Sequence, residues 1–332
     1  MPRIHWIDLL RGICMIAILL FHTEMYMVGK AIIPYTMYVT NALIIFYFIS
    51  GYLIYKKNEF KFIHKLKSIG RTMLIPYLLF TSIIGIVKPY VKGQQIDLLQ
   101  IGENIALGQA SWFIAALIIA ELLLCITLWI TRGKLSWIFC VALICLILSI
   151  AFSERNIDFP WQINNALQAV FFLITGYVYH HYEKKIKDIN KPLYNILLLI
   201  ILIIIKRYEY IHHVNMMISP LQIDLYPLFL LDITICIIVM VNICKAKTNK
   251  IIEWTGSHSL VYYFLCGGVP LLVSKYWRHT GLTYGGRYWV ILLAFIIVYM
   301  ITTLLTWTIY TYIYSAIKKK INLKYLFEFY GQ

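Results

Sequence analysis

The sequence predicts an all-α integral membrane protein: a single bundle of about ten transmembrane helices with both termini in the cytoplasm. Three observations carry this. The 332 residues are 61% hydrophobic and only 14% charged, whereas soluble chains are about half apolar and about a quarter charged. Several apolar runs approach or pass about 18 residues, the length that crosses a hydrocarbon core as a helix. The runs do not alternate apolar with polar positions, as the strands of a membrane barrel do.

In chain order, the first run covers 8–27, with Arg3 before it and Lys30 after. The second, 38–55, is closed by Lys56, Lys57, Lys61, Lys65, Lys67 and Arg71. The third, 72–88, runs into Lys88 and Lys92, and the fourth, 110–130, into Arg132 and Lys134. The fifth, 135–152, ends before Arg155, and the sixth, 164–181, before Lys184, Lys185, Lys187 and Lys191. The seventh, 192–206, meets Lys206 and Arg207; the eighth, 225–244, meets Lys245, Lys247 and Lys250. The ninth, 257–274, is followed by Lys275, Arg278 and Arg287, and the tenth, 289–315, by Lys318, Lys319, Lys320 and Lys324. Alternate loops therefore hold 20 and 9 basic residues. The positive-inside rule puts the richer set, and with it both termini, in the cytoplasm. No internal repeat or low-complexity linker divides the chain, so residues 1–332 are expected to form one domain.

The formal net charge is +15. Its placement in short loops fits anionic headgroups and orientation control, not a nucleic-acid surface. The seven cysteines lie within or beside apolar runs without a CxxC pair, so they read as small buried hydrophobes. The first apolar run is longer than a signal core and carries charge, so it is expected to remain as a helix. There is no nucleotide-binding glycine loop, metal-ligand cluster or GxSxG elbow.

The stretch "RGICMIAILLFH" opens on Arg11 and closes on His22 within the first run. Eleven helical steps of about 100° bring the two within about 20° of one face, ~16 Å apart along the axis. Asp8, three residues before Arg11, lies near that face and can hold its guanidinium. Ionisable groups at membrane depth are costly and mark function by default; the bland alternatives are a snorkelling arginine and a packed histidine. Glu24 points about 160° away from His22 and is not expected to be its partner.

On these residues the chain resembles the acyltransferase 3 family of integral membrane O-acyltransferases, whose opening helix carries arginine, ten residues and histidine, often within Asp-x-x-Arg-Gly. Asp8, Arg11, Gly12 and His22 match. "FYFISGYLIYKK" (46–57), "SIGRTMLIPYLLF" (68–80), "SWFIAALIIAELL" (111–123) and "GSHSLVYYFLC" (256–266) resemble further family segments in the same order. One departure stands out: the histidine that many members carry about seven residues after the serine of the late motif is Cys266 here, and His258 does not replace it.

The resemblance implies transfer of an acyl group, usually acetyl, from cytoplasmic acyl-CoA to a sugar hydroxyl of a surface polysaccharide or its lipid-linked precursor. The implied setting is the bacterial inner membrane, with acetyl-CoA as co-substrate and no metal. On that reading His22 is the catalytic base, or forms an acyl intermediate, and Arg11 joins it in the catalytic pair. Arg11 and Arg71 take the anionic donor. Ser50 and Trp112 are candidate donors to the oxyanion or lining of the pocket. Glu121 and Asp232, near the middle of their helices, either support the site or pair with buried cations. "CGGVP" (266–270) is expected to break the ninth helix. The tract 206–226 either meets the sugar or sits at the interface. The expected partners are a glycan acceptor and membrane lipids, without nucleic acid. Two rival readings are a glycan-precursor transporter, which broken helices and buried charges also suit, and a non-catalytic glycan-binding member of the family.

Overall fold

The computed structural model describes residues 3–56, 60–155, 157, 159–186 and 192–314. Lys57, Lys187, Lys191, Lys318, Lys319, Lys320 and Lys324 of the charge count lie outside the described residues, as does the last position of the predicted tenth helix. Helices occupy all ten predicted segments, with different boundaries. They are α1 (His5–Val28), α2 (Tyr35–Ile54), α3 (Phe62–Ile69), α4 (Ile75–Lys92), α5 (Leu98–Ala106), α6 (Trp112–Thr131), α7 (Leu135–Glu154), α8 (Ile163–Tyr182) and α9 (Pro192–Ile211). A small antiparallel hairpin, β1 (Met216–Met217) and β2 (Gln222–Ile223), follows. Then come α10 (Tyr226–Ala246), α11 (Lys250–Ser257), α12 (Ser259–Leu265), α13 (Gly268–Trp277) and α14 (Tyr288–Thr308).

Among the described residues, seven stretches are long and apolar enough to cross a membrane: α1, α2, Phe62–Lys92, α6, α7, α10 and Tyr288–Tyr312. The other three predicted segments fall short for visible reasons. Asn164, Asn165 and Gln168 open α8; Lys206, Arg207 and Glu209 crowd the end of α9; the ninth segment is broken into α11, α12 and α13.

The order of contacts makes the bundle antiparallel. At the end where α1 begins, Tyr52 of α2 and Lys245 of α10 both donate to Glu183, which follows α8 (2.6 and 2.5 Å). There too, His5 of α1 meets Glu253 of α11 at 2.8 Å. At the opposite end Tyr288 of α14 donates to Glu24 of α1 (2.7 Å), and Lys275 of α13 donates to the Val91 carbonyl of α4 (2.8 Å).

Two glycine pairs let helices touch backbone to backbone. A Cβ on Gly12 would strike the Ile252 carbonyl, and one on Gly256 would strike the Asp8 carbonyl, so α1 and α11 cross there. Gly51 and Gly176 do the same for α2 and α8, against the carbonyls of Leu173 and Phe48. Small residues permit this approach, and close packing holds helices together where lipid is as apolar as leucine. The outer surface is apolar: α9 exposes Leu193, Ile196, Ile200 and Ile203, and α14 exposes Leu292, Ile296 and Leu304. Water does not tolerate such continuous faces. Trp289 and Trp307, both exposed on α14, stand ~27 Å apart along the axis, a spacing that suits two interfacial aromatic belts.

Several boundaries differ from the sequence reading. The third helix begins at Phe62, because Phe62, Ile63, Leu66 and Ile69 hold helical spacing among basic residues. It passes through a π-turn, Gly70–Leu74, into α4. The seventh extends to Ile211, so Lys206 is a helix residue and not a loop cation. Helix α5 and the hairpin were not expected. The Asp97 side chain starts α5 by accepting from the Gln100 amide at 3.0 Å, a capping signal present in the sequence.

Candidate active site

Helix α1 runs unbroken through both Arg11 and His22, so helical geometry sets their separation at ~16 Å along the axis, nearly in line. Arg11 is 2% exposed and sits beside Gly12, where α11 crosses. It faces protein and not lipid. Asp8, also buried, accepts a hydrogen bond from Arg3 Nε at 2.5 Å, and Arg3 donates onward to the Glu253 carbonyl at 3.3 Å. Glu253 lies in the short helix α11, where its hydrogen bond with His5 holds its carboxyl below the usual range, with lesser help from the Asn249 amide and against a small effect of burial. This end of α1 is therefore fixed to α11 by charges as well as by the glycine contact.

His22 is half-buried toward the other end of α1. Its ring meets Phe21 edge-on at 5.6 Å, and Phe21 in turn meets Tyr35 at 5.3 Å. Lys88 of α4 lies within electrostatic reach of both His22 and Cys266. Cys266 occupies the break between α12 and α13, and its thiol donates to the Tyr263 carbonyl at 2.8 Å. The predicted interruption at 266–270 is thus present, and Cys266, which stands where many family members carry the late histidine, shares Lys88 as a neighbour with His22. Phe113 stacks on Tyr47 (4.9 Å) and lies against Tyr263 (5.4 Å). The buried hydroxyls of Tyr35 and Tyr47 have no hydrogen-bond partner among the described residues, and Ser111 lies beside Tyr263. Polar hydroxyls thus gather around one interior region, next to the predicted base.

The remaining predicted residues divide by position. Trp112 opens α6 at the His22 end and meets Phe113 edge-on at 5.7 Å. Ser50 is buried within the last turns of α2, at the end where α1 begins and away from His22. Arg71 is exposed in the π-turn at that same end. Glu121 is fully buried and pairs with Lys65 of α3 at 3.0 Å. Asp232 is fully buried and pairs with Lys206 at 2.9 Å. The Lys206 ammonium also donates to Glu209, Asn41 and the Thr36 carbonyl, at 2.8 to 3.0 Å. Glu24 accepts from the Ile32 and Ile33 amides and from Tyr288, so it closes the turn after α1. His258 is held by the Trp254 carbonyl at 2.7 Å.

One cluster escaped sequence reasoning. Glu183 binds Lys245 and Tyr52, while the His180 ring stacks on Tyr52 at 3.9 Å. Beside it a cavity of about 790 Å³ lies between α8 and α10, with Trp6, Tyr179, Lys184 and Lys245 among its walls. In the sequence Glu183 shares a basic loop with Asp188, and nothing local marks it.

These features define a multi-pass, all-α membrane protein with a polar interior site on its first helix. A family model described as an acyltransferase domain matches residues 4–311. The chain belongs to this acyltransferase 3 family, and is a membrane acyltransferase. Neither the curated proteins nor the solved structures gave a match to the chain.

Proposed function

We propose that the protein is an O-acetyltransferase of the bacterial inner membrane, with ten spans, cytoplasmic termini and a single domain. It moves acetyl from cytoplasmic acetyl-CoA to a sugar hydroxyl of a surface polysaccharide or its lipid-linked precursor. The observation that carries this reading is the unbroken path of α1 from Arg11, enclosed at the α1–α11 crossing, to His22 beside unspent hydroxyls.

On this reading Arg11 and Arg71 take the anionic parts of the donor from the end where α1 begins, the cytoplasmic end. The pantetheine arm is long and thin, and the thioester at its tip reaches the level of His22. Neutral His22 removes the proton from the acceptor hydroxyl as its oxygen bonds to the thioester carbon. The carbon–sulfur bond then breaks, and the imidazolium returns the proton to the departing thiolate. Negative charge that develops on the carbonyl oxygen needs preorganised donors. Ser111 and Trp112 stand at the correct end for that role, and Ser50 does not. Glu121 and Asp232 act through their lysine pairs, keeping the bundle in register.

The transport reading draws on the broken ninth helix and the buried Lys206 cluster. One assay separates the two: labelled acetyl from acetyl-CoA is followed into envelope glycans in membranes holding wild type or His22→Ala at equal folded abundance. Incorporation that His22→Ala abolishes supports acetyl transfer. Equal incorporation removes His22 as the base, and none in wild type turns the reading toward transport.

A further inference from the structure

A second polar feature lies at the His22 end, and the reaction steps above do not use it. The end of α7, the start of α8, the loop into α6 and the β1–β2 hairpin enclose a cavity of about 600 Å³. That volume falls within the usual range for small-ligand pockets. Its polar walls come from Gln109, Ser153, Gln162, Asn164, Asn165 and Gln222, and among the described residues that line it none is charged. Phe152 and Phe159, edge to face at 5.1 Å, supply an aromatic wall.

The amides are committed in an asymmetric way. Asn165 is 4% exposed; its Nδ2 donates to Gln162 Oε1 at 2.9 Å, and its Oδ1 has no partner among the described residues. Asn164 donates to the Ile157 carbonyl, and its Oδ1 is likewise unmatched. One turn deeper on α8, Gln168 is fully buried, and neither amide atom has a partner among the described residues. Buried polar atoms are ordinarily matched, so these oxygens call for a donor. A neutral ring rich in hydroxyls supplies donors without bringing a charge, and its apolar face suits an aromatic wall. The backbone of Trp161 and Gln162 is left-handed (φ 57° and 56°), a costly conformation for non-glycine residues that gathers at binding sites.

The cavity also adjoins the candidate active site in the chain. Gln109 lines it, Ser111 two residues later lies beside Tyr263, and Phe113 packs between Tyr47 and Tyr263. We infer that this cavity is a binding pocket for a neutral sugar unit, whose hydroxyls donate to Asn164 and Asn165 and whose ring faces Phe152 and Phe159. Its place in the reaction, as the pocket that holds the acceptor, rests on the acyl-transfer reading; sugar binding itself does not.

The test uses saturation-transfer NMR on the full chain in detergent, with neutral methyl glycosides and a methyl uronate as probes. Wild type is expected to transfer saturation to neutral glycosides and less to the uronate. Asn165→Leu and Gln109→Leu are expected to weaken the neutral signal about tenfold, as for loss of a hydrogen bond at a desolvated site. Gln109 is exposed on its loop, so that variant keeps the test open if Asn165→Leu does not fold. No signal from any neutral glycoside in wild type, a preference for the uronate, or unchanged signals in the folded variants overturns the pocket. Acetyl-transfer kinetics separate the two ideas. A raised acceptor KM with an unchanged donor KM in the variants supports the pocket as the acceptor site. Transfer with an unchanged acceptor KM overturns that placement while acyl transfer stands. Sugar binding in a wild-type protein that transfers no acetyl keeps the pocket and overturns the acyl-transfer reading.

Discussion

Gly12 and Gly256 stand where α1 and α11 meet backbone to backbone: a side chain begun at Gly256 would strike the Asp8 carbonyl and the Gly12 amide. The two glycines come from separate motifs near opposite ends of the chain, and their contact seats Arg11. Gly256→Ala is therefore expected to force the helices apart and to destabilise the protein by about 1–3 kcal/mol, the range for overpacking. Thermal unfolding in detergent measures this. A melting temperature equal to that of wild type would mean that the crossing yields cheaply and that Arg11 is held by other means.

His22 and Arg11 should separate in kinetics. His22→Ala is expected to lower kcat by roughly 10²–10⁴-fold, the contribution of a positioned base, with donor KM little changed. Arg11→Lys keeps the charge but loses the planar fork. It is expected to raise donor KM about tenfold while leaving acceptor KM alone. Steady-state acetyl transfer with each substrate varied in turn distinguishes these patterns, and a shared defect in kcat alone would place Arg11 at the chemistry instead of the donor.

Asp232 and Lys206 offer a test of a buried charge that supports the fold. Asp232→Ala leaves the Lys206 ammonium beside Glu209 with one partner removed. Breaking a buried pair in this way costs about 3–5 kcal/mol. Replacing both partners together, Lys206→Met with Asp232→Leu, is expected to recover part of that loss and to retain acetyl transfer in the folded fraction. A folded double variant without activity would assign the cluster to the reaction.

What the sequence made legible follows from the range of the interactions. The Arg11–His22 register needs only an unbroken helix, and the break at Cys266 needs only the following Gly-Gly-Val-Pro, so both could be read locally. The lysine partners of Glu121 and Asp232 could not. Lys65 sits in a basic stretch that reads as a cytoplasmic loop, and Lys206 sits beside Arg207 near a predicted helix end. Asn41, which binds both Lys206 and Asp232, is 165 residues from Lys206, and no periodicity links them. The amide cavity was hidden for a similar reason. Its walls come from Leu107 and Gln109, from Phe152, Ser153 and the start of α8, and from the hairpin at 219–222, and only the last lies in the tract read as a possible meeting place for sugar. Two-residue strands are too short to show alternation, so the hairpin that closes the cavity left no pattern.

Glu183 gives a pH prediction outside the spans. Burial pushes its carboxyl upward, but hydrogen bonds from Lys245 and Tyr52, with the nearby charges of Lys245 and His180, outweigh burial and hold it below its ordinary value of 4.5. A carboxyl lowered by folding favours the folded state once the pH exceeds its unfolded value, and that contribution fades as pH falls through the lower, folded value. The link between α2, α8 and α10 is thus expected to be at full strength at neutral pH and to weaken below about pH 4.5. Thermal unfolding followed from pH 7 to pH 3 should show a steeper acid loss in wild type than in Glu183→Gln, which cannot titrate there. Parallel curves would mean that Glu183 is as easily protonated in the folded chain as in the unfolded one, and that its contacts with Lys245 and Tyr52 do not favour the charged form.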